Sequence, residues 1–249
     1  MKERNIKLEL SYDGTYFHGF QVQPNQRTVQ GELQKAIEKL TGSSVKVIGS
    51  GRTDARVHAR KQVCNFITHS SIPISKWPNA INSVLPEDIV VYSAEEKPIT
   101  FHSRFDVKKK TYRYTIYNDQ FIDVFRRHYT WHYPYPLNMN EMIEASRFFL
   151  GEHDFTSFSS VKSDIKDRVR TIYHFDLWQE GKEIYFQITG NGFLYNMVRI
   201  IVGTLVEIGR SKIKKEEIPK ILAKRDRNLA GLTAPPQGLI LWDVLYSDN

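Results

Sequence analysis

Asp54 stands in the stretch Gly49–Gln62, G-S-G-R-T-D-A-R-V-H-A-R-K-Q, among Arg52, Arg56, Arg60 and Lys61, with no second carboxylate in the stretch. Opposite charge within a few Å keeps a carboxyl ionised. A fixed, ionised carboxylate serves as a nucleophile or a general base. The plainer reading of Arg-Thr-Asp is an Asp that caps a turn or pairs with a neighbouring Arg.

Three further stretches carry residue types that suit work on a nucleotide. Residues 108–117 read K-K-K-T-Y-R-Y-T-I-Y. On a strand, Tyr112 and Tyr114 face one way and Arg113 and Thr115 the other. Rings interleaved with cations such as Lys109 and Lys110 suit RNA, because rings stack on unpaired bases and cations meet phosphates. A tyrosine core face opposite a solvated basic face would look the same. Residues 191–199, N-G-F-L-Y-N-M-V-R, open an apolar helical pattern in which Arg199 is the odd cation. A buried cation demands a partner, and Asp54 is a candidate, unless Arg199 snorkels to the surface. Tyr195, four residues earlier, is expected on the same helix face. Residues 12–21, Y-D-G-T-Y-F-H-G-F-Q, taken alone are a loop with aromatic anchors.

Composition narrows the partner. Lys and Arg number 35 against 28 Asp and Glu, a net charge of +7, which favours polyanions, nucleic acid before membrane. No apolar run approaches the ~18–20 residues of a bilayer span, and the N-terminus has no signal-peptide stretch. A cytoplasmic protein without membrane attachment is expected. The single cysteine, Cys64, lies in an apolar run and reads as a small core residue. With one Cys and no H-E-x-x-H among eight His, no metal site is expected.

The elements that must hold these residues recur in one order. The spacing predicts strands at 6–12, 45–48, 62–68 and 89–94, and helices at 28–40 and 73–84, with Thr28 capping the first helix. The Asp54 stretch falls between two strands, as a loop. After residue 104 the order repeats: a long strand at 104–117, a helix at 138–150, a hairpin of 169–178 with 183–189, helices at 194–208 and 214–224, and a last strand at 239–246. The expected fold is α+β, an α/β chain of two ferredoxin-like β-α-β-β-α-β units. Residues 1–103 form the first, with the Asp54 loop, and residues 104–249 the second, with Tyr112 and Arg199. Two such sheets side by side would leave a central basic cleft, a usual place for a ligand.

Together these stretches resemble the TruA family of tRNA pseudouridine synthases. The family's Y-D-G-x-x-[YF]-x-G-[WF]-Q is similar to Tyr12–Gln21, and its V-Q-x-x-L to Val29–Leu33. Its signature G-R-T-D-A-G-V-H-A matches Gly51–Ala59 at eight of nine positions. F-H-[AS]-R-F matches Phe101–Phe105, Y-R-Y matches Tyr112–Tyr114, F-x-x-x-M-V-R-x-I-V-G matches Phe193–Gly203, and A-P-P-x-G-L matches Ala234–Leu239.

The resemblance implies an isomerase that converts uridine to pseudouridine in tRNA, in the family's best-known case at positions 38, 39 and 40 of the anticodon stem-loop. It implies a homodimer with one RNA gripped across both subunits. By position it makes Asp54 the catalytic carboxylate, Tyr112 the ring stacked on the target base, and Arg52 and Arg199 the active-site arginines, Arg199 pairing with Asp54. Arg56, Arg60, Lys61, Lys109 and Lys110 are candidate RNA contacts.

The chemistry agrees. No atoms or electrons are exchanged with a cofactor, so none is expected. Uracil leaves as a delocalised anion, so the second acid a sugar hydrolase needs is dispensable. One departure stands out: Arg56 occupies the signature's glycine position. If that backbone has positive φ, Arg there costs roughly 1–3 kcal/mol. A divergent member acting on another RNA, including rRNA, or an RNA-binding module without turnover, are the alternatives. A uridine-cleaving glycosidase is a third.

Overall fold

The computed structural model describes residues 2–161 and 166–247. The chain forms two compact units, Met1–Lys108 with Leu241–Asn249, and Lys109–Ile240. The sequence reading divides the chain at 103/104 and gives the last strand to the second unit; in the structure most of that strand lies with the first.

In the first unit, strand β1 (Arg4–Tyr12) leads to helix α1 (Val29–Thr41), strands β2 (Ile48–Gly49) and β3 (His58–Thr68), helix α2 (Trp77–Asn82) and strand β4 (Ile89–Lys97). β1 lies between β4 and β3, antiparallel to both, and β2 pairs with β3. This is the β-α-β-β-α-β order expected. β1 alternates: Ile6, Leu8 and Leu10 are fully buried, while Lys7 and Glu9 are half-exposed. Helix α1 starts where Thr28 accepts a hydrogen bond from the Gly31 amide and ends on left-handed Gly42. Its buried face is Val29, Leu33, Ala36 and Ile37. Phe66 and Trp77 meet edge-on at 5.3 Å between centroids. Each such large apolar side chain contributes about 1.5–3 kcal/mol on burial.

Two boundaries differ from the sequence reading here. The strand expected at 45–48 shrinks to Ile48–Gly49, because Val47 bonds to α1 instead: its amide donates to Gln34 and its carbonyl accepts from Gln30. The strand expected from 62 begins at His58. Arg60 and Lys61 therefore sit on β3 rather than in the loop.

The second unit runs β5 (Lys109–Tyr117), β6 (Trp131–His132), α3 (Met139–Ser146), β7 (Gly151–Asp154), β8 (Val169–Glu180), β9 (Glu183–Gly190), α4 (Met197–Gly209) and α5 (Ile218–Lys224). Its sheet order is β5-β9-β8-β7, all antiparallel, with β6 added parallel to β5. The β8–β9 hairpin turns through Gly181 at φ 57°. Helix α4 is buried almost all round, as a helix apolar on every face must be. It begins three residues later than its apolar spacing predicts, because Asn196 is left-handed at φ 63°. Tyr195 thus precedes the helix and shares no helical face with Arg199. β5 begins at Lys109 rather than 104, because residues 102–106 close a turn on His102. The last strand, β10 (Leu239–Leu245), lies beside β3. Among the described residues no helix is long and apolar enough to cross a membrane.

Candidate active site

The Asp54 loop is held by three layers of hydrogen bonds within the first unit. At its start, the Ser50 amide donates to the Val63 carbonyl at 2.7 Å, and the Ser50 hydroxyl donates to Gln62 Oε1 at 2.6 Å. Gln62, wholly buried on β3, returns Nε2 to the Gly51 carbonyl at 3.0 Å. In the middle, the hydroxyls of Thr53 and Tyr12 meet at 2.7 Å. Burial pushes the Tyr12 hydroxyl up to about 12, against the pull of its bonds to Thr53 and Gln62. At its end, the Val57 amide bonds the Asp54 carbonyl at 3.1 Å, closing a four-residue turn with Arg56 third at φ 65°. Positive φ at that position alone is the type II pattern, which favours glycine.

The stretch Tyr12–Gln21, read from sequence as a loop with aromatic anchors, clamps this turn. The Phe20 amide bonds the Thr53 carbonyl at 3.1 Å, and the Arg56 amide bonds the Phe17 carbonyl at 3.1 Å. The Gly14 amide donates to His58 Nδ1 at 2.9 Å. A side chain at Gly14 would overlap the Val57 carbonyl, and Gly19, at φ 91°, runs against Thr53 and Asp54. Backbone therefore packs on backbone, and Asp54 is half-buried on a fixed turn. Arg52 and Arg56 are exposed on the same loop. On the adjoining strand, Arg60 lies over the Trp242 ring at 4.3 Å, and Lys61 pairs with Asp243 at 2.8 Å. Lys61 is thus held by an acid within its own unit.

The second unit places the other candidates. Tyr112 and Tyr114 share a face of β5, as alternation requires. The Tyr114 ring is fully buried and its hydroxyl donates to the Pro235 carbonyl at 2.8 Å. The Tyr112 ring is 8% exposed and meets Phe193 edge-on at 5.1 Å. Arg113, on the other face, donates to Gln187 at 2.7 Å. Lys109 stands 5.6 Å from the Tyr173 ring, and Lys110 is half-buried opposite Gly190. Arg199, in the first turn of α4, donates Nε to the Ala234 carbonyl at 2.7 Å and Nη1 to Asn196 Oδ1 at 2.8 Å. The Ala234 amide returns a bond to the Arg199 carbonyl at 3.1 Å. The segment A-P-P-Q-G-L thereby fixes the guanidinium's plane.

Sequence reasoning missed Gln62, Thr53 and Tyr12 as supports of the Asp54 loop. The signal was there only in part: a Gln among apolar residues on a strand asks where its amide bonds. It missed also that Asn65 and Asn5 hold the Phe101–Phe105 segment. The Ser103 amide donates to Asn65 Oδ1 at 2.9 Å, and Asn5 Nδ2 donates to the Phe101 carbonyl at 2.9 Å.

Comparison with known proteins agrees with the motifs. The sequence model of a family described as tRNA pseudouridine synthase matches residues 10–106 and 145–247. A Bacillus cereus protein named tRNA pseudouridine synthase A 1 is 52% identical over 244 residues, covering 98% of this chain and 99% of the relative. The tRNA pseudouridine synthase A of Anoxybacillus flavithermus is 52% identical over 247 residues, covering 99% and 100%. That of Halalkalibacterium halodurans is 52% identical over 238 residues, covering 95% and 90%. A solved archaeal box H/ACA sRNP Nop10–Cbf5 complex aligns over 79% of this chain and 45% of its own at 13% identity and TM-score 0.36, a likeness too slight to argue from. Matched over most of its length and at half identity to several named relatives, the chain belongs to the tRNA pseudouridine synthase family, the TruA family its motifs resemble, and is an isomerase.

Proposed function

We propose that the chain isomerises uridine to pseudouridine in tRNA, at one or more of positions 38, 39 and 40 of the anticodon stem-loop, with Asp54 as its one catalytic carboxylate. The observation that carries the reading is the clamped, half-buried turn that presents Asp54 beside exposed Arg52 and Arg56. The C1′–N1 bond breaks, uracil turns, and C1′ bonds to C5. The hydrogen on C5 leaves to water, and N1 takes one up, so atoms and electrons balance without a cofactor. Asp54 acts at the sugar, on C1′ as a nucleophile or on a sugar proton as a base. Arg52 and Arg199 serve as cations that bind the RNA substrate.

The target uridine must leave its stack to be reached. Tyr112 gives it a ring to lie against, worth about 1–3 kcal/mol. At 8% exposure little of the ring is open, so base entry moves a neighbouring side chain such as Phe193. Arg56, Arg60, Lys109 and Lys110 serve phosphates; Lys61 does so only by leaving Asp243. The protein works in the cytoplasm as a homodimer around one tRNA.

The test is release of tritium from tRNA transcripts carrying [5-³H]uridine, since rejoining at C5 discharges that hydrogen. Wild type is expected to release it and Asp54→Ala is not. Equal release from both would falsify the role of Asp54. Release confined to other uridines would move the site away from positions 38–40.

A further inference from the structure

We propose that Phe105, with Arg104 beside it, is a second stacking platform for an unpaired base or the open end of a helix in the RNA substrate. The ring is set at a fixed place relative to the Asp54 loop. The proposal rests on the reading of the chain as an enzyme of tRNA.

Phe105 is 75% exposed, which no packing role in this unit explains. The ring is nevertheless seated on a neighbour. It lies flat on the His102 imidazole, with centroids 4.2 Å apart and planes 28° apart. The imidazole is locked in turn, because its Nδ1 faces the amides of Arg104 and Phe105 at 3.2 and 3.3 Å. The Asp106 carboxylate closes the turn by accepting the His102 amide at 2.8 Å. These bonds pin the backbone turn under the ring, and the ring itself is seated on the imidazole. With one face on His102, the ring presents its other π-face to solvent, as a base-stacking site requires.

The platform is tied to the catalytic loop through buried polar groups. Ser103 is fully buried, and its hydroxyl donates to the Ile48 carbonyl at 2.5 Å, where the strand leading into the Asp54 loop starts. Tyr246 donates its hydroxyl to the Ser103 carbonyl at 2.6 Å and also bonds Ser50, the first buried residue of the Asp54 loop. Phe105 and Asp54 are thus two outcrops of one hydrogen-bonded frame. Charge selects nucleic acid over protein as the occupant. Arg104 is exposed 5.9 Å from the ring centroid and exposed Lys108 follows, cations placed to meet the phosphates on either side of a stacked base.

The experiment compares wild type, Phe105→Ala, Phe105→Tyr and Phe105→Trp, using a tRNA transcript labelled with [5-³H]uridine. Thermal unfolding should be alike in all four, because the ring is exposed. Phe105→Ala should bind the transcript roughly 5- to 150-fold more weakly, the size of one base–aromatic stack. Phe105→Tyr should stay within about twofold. The added indole of Phe105→Trp should be quenched as transcript is titrated in. Equal binding by Phe105→Ala and wild type overturns the platform while wild-type tritium release leaves the enzyme reading standing. If wild type releases no tritium, the enzyme reading fails and the binding comparison still decides the platform. A change in the native mass of RNA-free Phe105→Ala also overturns it, assigning the ring to a protein contact.

Discussion

Gly19 passes so close to Thr53 that a Cβ on it would lie 2.7 Å from the Thr53 carbonyl oxygen and 3.2 Å from the carbonyl carbon of Asp54. Its φ of 91° is in the left-handed region, so alanine there meets both a strained backbone and a clash with main chain. Gly19→Ala should cost about 1–3 kcal/mol in stability from strain alone. It should also lower tritium release by more than the unfolded fraction accounts for, since the turn carrying Asp54 must shift. Denaturant unfolding and single-turnover release, measured on the same sample, separate the two losses. A variant as active as wild type would show that the clamp does not position Asp54.

Arg56 carries the opposite conflict, a long side chain at the third place of a turn with φ 65°. A non-glycine residue there bears about 1–2 kcal/mol of strain, and glycine returns about 0.5–1 kcal/mol of chain entropy to the unfolded state. Arg56→Gly should therefore be as stable as wild type, or more stable by up to about 1.5 kcal/mol, in urea unfolding. The residue then persists for contact with RNA. Binding of tRNA to Arg56→Gly should show a salt slope shallower by about one phosphate contact. An unchanged slope with unchanged site choice would leave the arginine without a role in recognition.

The parts legible in the sequence are those set by periodicity and caps. Alternation along Ile6–Tyr12, the apolar stripe Val29–Leu40 and the Thr28 cap all have a local cause, and each element stands where that cause puts it. Boundaries failed where a distant side chain competed for the backbone. Gln30 and Gln34 take Val47 out of a strand, His102 takes Arg104 and Phe105 out of another, and Asn196 delays α4. The residue types of the site were legible because an acid among arginines is rare in any pattern. Their supports were not, since Tyr12 meets Thr53 and Gln62 across forty and more residues of chain, a separation no local pattern spans.

Cys64 gives a pH dependence of known sign. It is fully buried on β3 opposite Leu8, and burial pushes its thiol up to about 12 from 9.0. The folded state keeps the proton that the unfolded chain releases near pH 9. The stability this contributes is whole below pH 9 and is lost as pH rises toward 12. Its slope is up to about 1.4 kcal/mol per pH unit. Tyr12, Tyr92 and Tyr185, raised to about 12, and Tyr114, Tyr133 and Tyr246, also raised, add their own loss as pH nears and passes their ordinary value of 10.0. The difference between wild type and Cys64→Ala in unfolding free energy between pH 9 and 10 isolates the thiol, and the variant should show the shallower slope. In native protein the thiol should resist an aromatic disulfide reagent and react once the chain is unfolded.

Tyr112 separates stacking from hydroxyl chemistry. Its ring is packed against the Phe193 edge, and its register partner on β9 is Ile188, so Tyr112→Phe keeps the shape of the site. If the ring serves only as a surface for the displaced uracil, Tyr112→Phe should bind tRNA within about twofold of wild type, because stacking worth ~1–3 kcal/mol remains. Single-turnover release should then be equally spared. Phe193→Ala, which clears the edge beside the ring, should quicken base entry or leave it unchanged, because the neighbour that must move is gone. A tenfold loss of affinity or rate in Tyr112→Phe would assign the hydroxyl a bond to the substrate. A comparable loss in Phe193→Ala would show that the two rings act together as the surface on which the base rests.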